Sequence, residues 1–366
     1  YMFELFSNKD SHRSIILDIQ SDLIHGVLVE NYENGDNKII STCNKSIEEN
    51  IAPSNSERIK KKILKLAHDV VSNLIKVSGH KNIFNIHFVL SSPWVFSELK
   101  TIKVDFDSDN NISDEIINKI INKEIDKTPS KFNAYVFEKK IYDIKLNGYS
   151  VDVYNGREAH KLEISFSVSL AEKGLIDNLK HSINKVIHIK NQSFHSALLT
   201  QYLAIPSAIS KNTDYIYVHA HGELTDIIVV KNNQCKHISS FPFGSKTLLR
   251  KIALSTKHSL ESADSLLTMY YDNKLSEIDK KKISSIVDSF TISFSNMCID
   301  SFLSSFDIMH IPKRVYLSAH DHFAFFKSAL ISQNRIVLEI LPYDDFVGKD
   351  NGRIINMYTH VLGAML

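Results

Sequence analysis

The chain has 366 residues, 43% of them apolar, with 43 basic and 42 acidic side chains and a net charge of +1. That length favours two or more domains, since a domain usually holds about 100–200 residues; the apolar share excludes general disorder, and the balanced charge gives no electrostatic footprint for nucleic acid. The three cysteines, Cys43, Cys235 and Cys298, are too few and too scattered for a disulfide framework or a zinc ribbon, and they point to a reducing cytoplasm.

No apolar run reaches the roughly 18–20 residues of a membrane span. The first residues, beginning Tyr1-Met2-Phe3, lack the apolar core of a signal peptide. The basic runs 60–62 and 280–282 lie in helix-like, polar segments and read as solvated faces.

Residues 14–30 read as a hydrophobic strand, a short polar turn and a second strand, with 38–43 as a third. Ser56 is a candidate N-cap for the next segment. Its apolar residues Ile59, Ile63, Leu66, Ala67, Val70, Val71, Leu74 and Ile75 recur at spacings of three and four, which predicts an amphipathic helix that Gly79 ends. Residues 83–90 form a strand closed by Ser91-Ser92-Pro93, and Trp94 reads as a packing residue at a domain junction.

From about 94 to 170 the character changes. Strands are predicted at 101–106, 134–146, 149–154 and 162–170, with Asn147-Gly148 as a turn. Helices are predicted at 113–126, capped by Ser113, and at 175–186. This order describes a compact α+β unit inserted into a larger fold. A further helix is expected at 193–204, with a linker from Pro206.

Residues 214–230 repeat the design of 14–30, beginning 200 positions later: strand 214–220, turn His221-Gly222-Glu223, strand 224–230. The repetition suggests two related halves. After it come a strand at 235–243, helices at 248–254, 260–271 and 279–306, a strand at 314–318 and a helix at 325–331. A strand at 335–340 and an amphipathic helix at 354–366 close the chain.

Several motifs are candidates for chemistry. Gly244-Ser-Lys-Thr247 resembles the end of a P-loop, but position 239 is serine where that pattern needs glycine, so a plain helix start is the better reading. His219/His221 and His320/His322 are two His-x-His pairs at strand ends. Alternate residues of a strand face one side, so four imidazoles could bind zinc or nickel; ordinary cleft-wall residues are the alternative. Asp18 and Asp226 stand beside strand turns, where a carboxylate either serves a metal-bound phosphate or stabilises the turn itself.

The paired hairpins, the inserted unit and the closing helix together resemble the actin-like ATPase superfamily, and within it the FtsA/PilM branch of bacterial cell-division and type IV pilus proteins. That resemblance covers nearly the whole chain. It implies an α/β, actin-like (ribonuclease H-like) two-domain fold divided at 1–83, an inserted subdomain at 84–187, a return helix and linker at 188–210, a second half at 211–345 and a returning helix at 346–366. The family's first phosphate loop, Asp-x-Gly-Ser/Thr, reads Asp18-Ile-Gln20-Ser21 here. Its second, Asp-x-Gly-Gly-x-Thr-Asp, reads His219-Ala-His221-Gly222-Glu223-Leu-Thr225-Asp226. Residues 315–322 stand in the place of the adenosine-side loop.

The resemblance thus implies Asp18, Ser21, Gly222, Thr225 and Asp226 as remnants of an ATP and magnesium site. Nucleotide loops need glycine so that backbone N–H groups can approach phosphate. Gln20, His221, Ala319 and His320 replace expected glycines, and His219 replaces the leading aspartate. The expectation is therefore weak or absent ATP binding and no efficient hydrolysis. The implied role is that of a cytoplasmic scaffold, peripheral to the inner face of the membrane. It would dock the cytoplasmic tail of a membrane protein, as in a pilus platform, or a tubulin-like filament and copies of itself, as in division. An Mg-ATP-binding protein that polymerises is the alternative.

Overall fold

The computed structural model describes residues 11–32, 37–47, 56–78, 83–127, 134–189, 191–208, 214–304, 306–319, 321–332 and 337–342. His320 and the helix expected at 354–366 lie outside the described residues, as does Gly79.

Two five-stranded sheets carry the two halves. The first contains β1 (Ser11–Ile19), β2 (Leu23–Tyr32), β3 (Asn37–Ser46), β4 (Ile83–Leu90) and β9 (Asn191–Ser196), in the order β3-β2-β1-β4-β9. The second contains β10 (Tyr215–Ala220), β11 (Thr225–Lys231), β12 (Gln234–Phe241), β13 (Arg314–Ala319) and β14 (Glu339–Pro342), in the order β12-β11-β10-β13-β14. In each, an antiparallel three-stranded meander is continued by two parallel strands on the other side of its first strand. The likeness of the two hairpins thus extends to whole halves.

Strands β1 and β10 lie at the centre of their sheets, which explains why they read as near-continuous apolar runs rather than alternating ones. Helix α1 (Ser56–Ser78) places Ile63, Ala67, Val70, Val71 and Leu74 against the first sheet, all fully buried, as its three-and-four spacing requires. On the second sheet, α5 (Ser245–Thr256), α6 (Leu260–Tyr271), α7 (Glu277–Leu303) and α8 (Phe323–Ser332) form the cover. Phe294 of α7 is fully buried among Phe241, Phe243, Phe325 and Phe326.

Helix α4 (Ala197–Ala208) lies between the halves. Ala197 packs with Ile16 and Val89 of the first sheet, and Leu198, Tyr202 and Ile205 pack on Tyr215, Tyr217 and Tyr316 of the second. A helix covered on both sides is apolar all round, as Ala-Leu-Leu-Thr-Gln-Tyr-Leu-Ala is. It runs to 208, past the Pro206 at which the sequence suggested a linker. Residues 193–196, expected to begin this helix, instead belong to β9; pairing with β4 overrides the weak strand preference of Asn-Gln-Ser-Phe-His-Ser.

The inserted unit is a four-stranded sheet, β5 (Phe96–Ile112), β8 (Arg157–Glu172), β6 (Ala134–Leu146) and β7 (Tyr149–Ser150) in that order, with α2 (Asp114–Asp126) on it. It has its own core, centred on Ile117, Ile121, Ile144, Ile164 and Phe166. Ser113 caps α2, its Oγ accepting from the Ile116 N–H at 3.4 Å. Of the stretch expected as the inserted subdomain, 84–187, β4 is a strand of the first sheet, and α3 (Lys173–Asn184) buries Leu175, Ile176 and Leu179 in that sheet's core.

Candidate functional site

The two segments expected as phosphate-loop remnants are the tips of equivalent hairpins, the β1–β2 turn and the β10–β11 turn, and they meet between the halves. The Gly222 N–H donates to Asp22 Oδ1 at 3.3 Å, and the Glu223 N–H donates to Ser21 Oγ at 3.3 Å. A Cβ on Gly222 would lie 2.4 Å from the Asp22 carboxylate, so only glycine permits this approach. Ser21 and Asp22 of the first tip are 8% and 7% exposed, and His221 of the second is 2% exposed, with Glu223 half-buried.

The second tip is also seated on the start of α5. The carbonyls of His221 and Gly222 accept the N–H groups of Ser245 and Lys246 at 3.1 and 2.8 Å. These are first-turn donors with no partner inside their own helix. Gly244 sits so close beneath the tip that a Cβ there would lie 2.4 Å from both carbonyl oxygens. Lys246 Nζ reaches across to the Ile47 carbonyl at 3.1 Å, and the Ile47 N–H returns to the Asp22 carbonyl at 2.7 Å. Gly244-Ser-Lys-Thr247 is therefore a helix start that the hairpin tip caps.

The carboxylates expected at the site are held within their own halves. Gln20 Nε2 donates to Asp18 Oδ2 at 2.7 Å, while the Trp94 indole N–H caps the Gln20 carbonyl at 2.9 Å. Asp226 is bonded to His221 Nε2 at 2.9 Å and accepts the Ser240 hydroxyl. Ser240 in turn lies 3.0 Å from Ser92 of the first half. Thr225 Oγ1 donates to the Phe243 carbonyl at 2.7 Å. The outer face of the tip is pinned by Arg250, whose guanidinium binds both oxygens of Glu223 at 2.8 and 2.6 Å.

Of the four histidines, His219 and His221 come together with ring centroids 4.0 Å apart, and His219 Nδ1 lies 2.9 Å from the Tyr217 hydroxyl. His322 is 2.7 Å from Asp264 of α6. Among the described residues no group of three or more His, Cys, Asp or Glu is placed to hold a metal ion. Asp22, which sequence reasoning passed over, joins the two tips together with Ser21.

No family model matches this sequence, and no curated protein matches it either. Solved structures do match. The chain is similar to one in a PilM–PilN type IV pilus biogenesis complex, with 96% of each chain covered, 13% identity and a TM-score of 0.67. The chain has an actin-like fold of the PilM type. It is also similar to the ethanolamine utilization protein EutJ of Carboxydothermus hydrogenoformans, over 95% of this chain and 88% of that one, with 10% identity and a TM-score of 0.50. No helix among the described residues is long and apolar enough to cross a membrane.

Proposed function

We propose that this actin-fold chain is a PilM-like docking protein of type IV pilus assembly that works through protein contacts and without nucleotide turnover. The observation that carries the reading is the direct contact of the two hairpin tips. In a nucleotide clamp of this fold, such tips need open backbone N–H groups and room for phosphate between them. Here those of Gly222 and Glu223 are bonded to Asp22 and Ser21, and the Asp22 carboxylate fills the gap. In this arrangement the residues do not fit a magnesium-bound triphosphate, so no step is assigned to one.

The pilus assignment is supported by likeness to the PilM chain along almost its whole length. An analogy of fold does not by itself carry function, so the role needs its own test. On this reading the partner is the cytoplasmic tail of a membrane-embedded pilus protein. The tail docks beside the inserted unit and holds the chain against the inner face of the membrane. Two measurements test it. Isothermal titration with Mg-ATP is expected to give no heat of binding, and micromolar affinity would overturn the nucleotide-free reading. Deleting the gene is expected to abolish surface pili, with recovery on complementation; normal piliation would overturn the pilus reading.

A further inference from the structure

Helices α1 and α3 pack beside each other on the first sheet, both feeding its core. Ser182 Oγ of α3 donates to the Leu64 carbonyl of α1 at 3.1 Å, and Lys60 of α1 binds Glu172, the residue before α3, at 2.5 Å. Helix α1 carries six basic side chains against two acidic ones, and α3 two against one. The pair therefore has a net charge of +5, whereas the whole chain has +1. The remainder of the chain is net acidic, so the positive charge is concentrated on this side of the first half.

The period that buries one side of α1 sorts its cations onto the other. Arg58, Lys61, Lys62, Lys65 and Lys76 fall on the side opposite the fully buried Ile63, Ala67, Val70 and Leu74. Asp69 is the one carboxylate in that stripe, and it lies 3.4 Å from His68 Nδ1. Lys61 and Lys65, with Lys173 at the start of α3, are exposed, and they form no hydrogen bond or ion pair among the described residues.

The form and make-up of the stripe select its partner. Side chains on the outer side of packed helices stand on a ridge and line no cleft. Lysine dominates, and it presents a compact, hydrated charge on a flexible stem; arginine's planar fork suits the two-pronged grip of a single phosphate or carboxylate. A row of such charges along a helix about 34 Å long matches a broad surface of many loosely held anions.

We propose that the α1/α3 face lies against an anionic lipid surface, its lysines at the level of the headgroups and α1 itself not inserted. The inference rests on the docking role above and says which side of the chain turns to the membrane. An anionic leaflet attracts basic side chains that come within a screening length of it. The contact is weak alone, and it strengthens a tail-bound complex by keeping the chain at the surface where the tail is.

The test is sedimentation of the full chain with lipid vesicles. Phosphatidylcholine vesicles containing phosphatidylglycerol are expected to carry the chain down, and vesicles of phosphatidylcholine alone to leave it in solution. Binding is expected to fall steeply as salt rises from about 0.1 M to about 1 M, because the screening length shrinks from about 10 Å to about 3 Å. A Lys61→Gln, Lys65→Gln, Lys173→Gln variant is expected to lose roughly a hundredfold in partitioning, for three cations removed from the surface contact. A Lys251→Gln, Lys281→Gln, Lys282→Gln variant removes the same charge from exposed positions of the second half and is expected to bind as the parent does. No binding to the anionic vesicles, equal binding to neutral ones, indifference to salt, or equal loss in the two variants would each overturn the proposal. So would displacement from the vesicles by duplex DNA at physiological salt, which would make the face a nucleic-acid site. All six lysines are exposed, and unchanged thermal unfolding of the variants separates lost binding from lost fold. The assay contains no pilus protein, so the lipid contact and the pilus role fail separately.

Discussion

Asp22 and Gly222, 200 positions apart in the chain, are held face to face, the glycine N–H on the carboxylate at 3.3 Å with no space for a Cβ between them. Gly222→Ala puts a methyl group within 2.7 Å of the Cβ, Cγ and Oδ2 of Asp22 and forces the tips apart. The expected cost is about 1–3 kcal/mol of unfolding free energy, the usual range for overpacking. Asp22→Gly removes all three clashing atoms but leaves the buried Gly222 N–H without its acceptor, at a cost of about 1–3 kcal/mol. The double variant is therefore expected to lose less than the sum of the two, with a coupling of about 1 kcal/mol measured by urea unfolding. Strict additivity would mean that the tips do not meet in solution.

His87 of β4 sets a pH dependence. It is fully buried in the first sheet, with Nδ1 2.7 Å from Ser193 Oγ and 3.5 Å from His195 Nε2. Burial, and then repulsion from His195, pushes its pKa down from 6.5 to about 3. The folded chain thus keeps His87 neutral where the unfolded chain protonates it. Stability from this group is complete above pH 6.5 and falls as the pH drops towards about 3. The slope approaches about 1.4 kcal/mol per pH unit for one proton. His87→Gln should flatten the curve between pH 6 and about 4 relative to the parent, whatever its cost at neutral pH. Denaturant melts of both proteins across that range decide it, and parallel curves would sink the assignment.

Elements with strong periodicity were legible in the sequence, and those held by pairing were not. Helix α1 declares itself because its buried side chains recur every three or four residues, and the twin hairpins because their strands are apolar. Strand β9 carries Asn, Gln, Ser and His, so only its partner β4 makes it a strand, and pairing across about 100 positions leaves no local trace. The same reason divides the candidate site. Gly222 and Ser21 could be named from the resemblance. Asp22 could not, because an aspartate in a turn reads as local turn chemistry. Its partner is a backbone group in the other half.

The three thiols are expected to report the packing of the halves separately. Cys298 is fully buried in the second half's core, and burial raises its pKa well above the usual thiol value. Cys235 is buried under Tyr202, and burial pushes its thiol up to about 12. Cys43 lies on β3, where it is only half-buried and takes an Asn73 amide N–H at 3.7 Å. Since the thiolate is the reacting form, exposure and pKa together set the order. Ellman's reagent on the native chain is expected to modify Cys43 first, while Cys235 and Cys298 react at the rate of unfolding. Mild urea should release Cys235 before Cys298 if the α4 seam between the halves opens before the aromatic core around Phe294. Simultaneous release of both would instead make the seam and that core one cooperative unit.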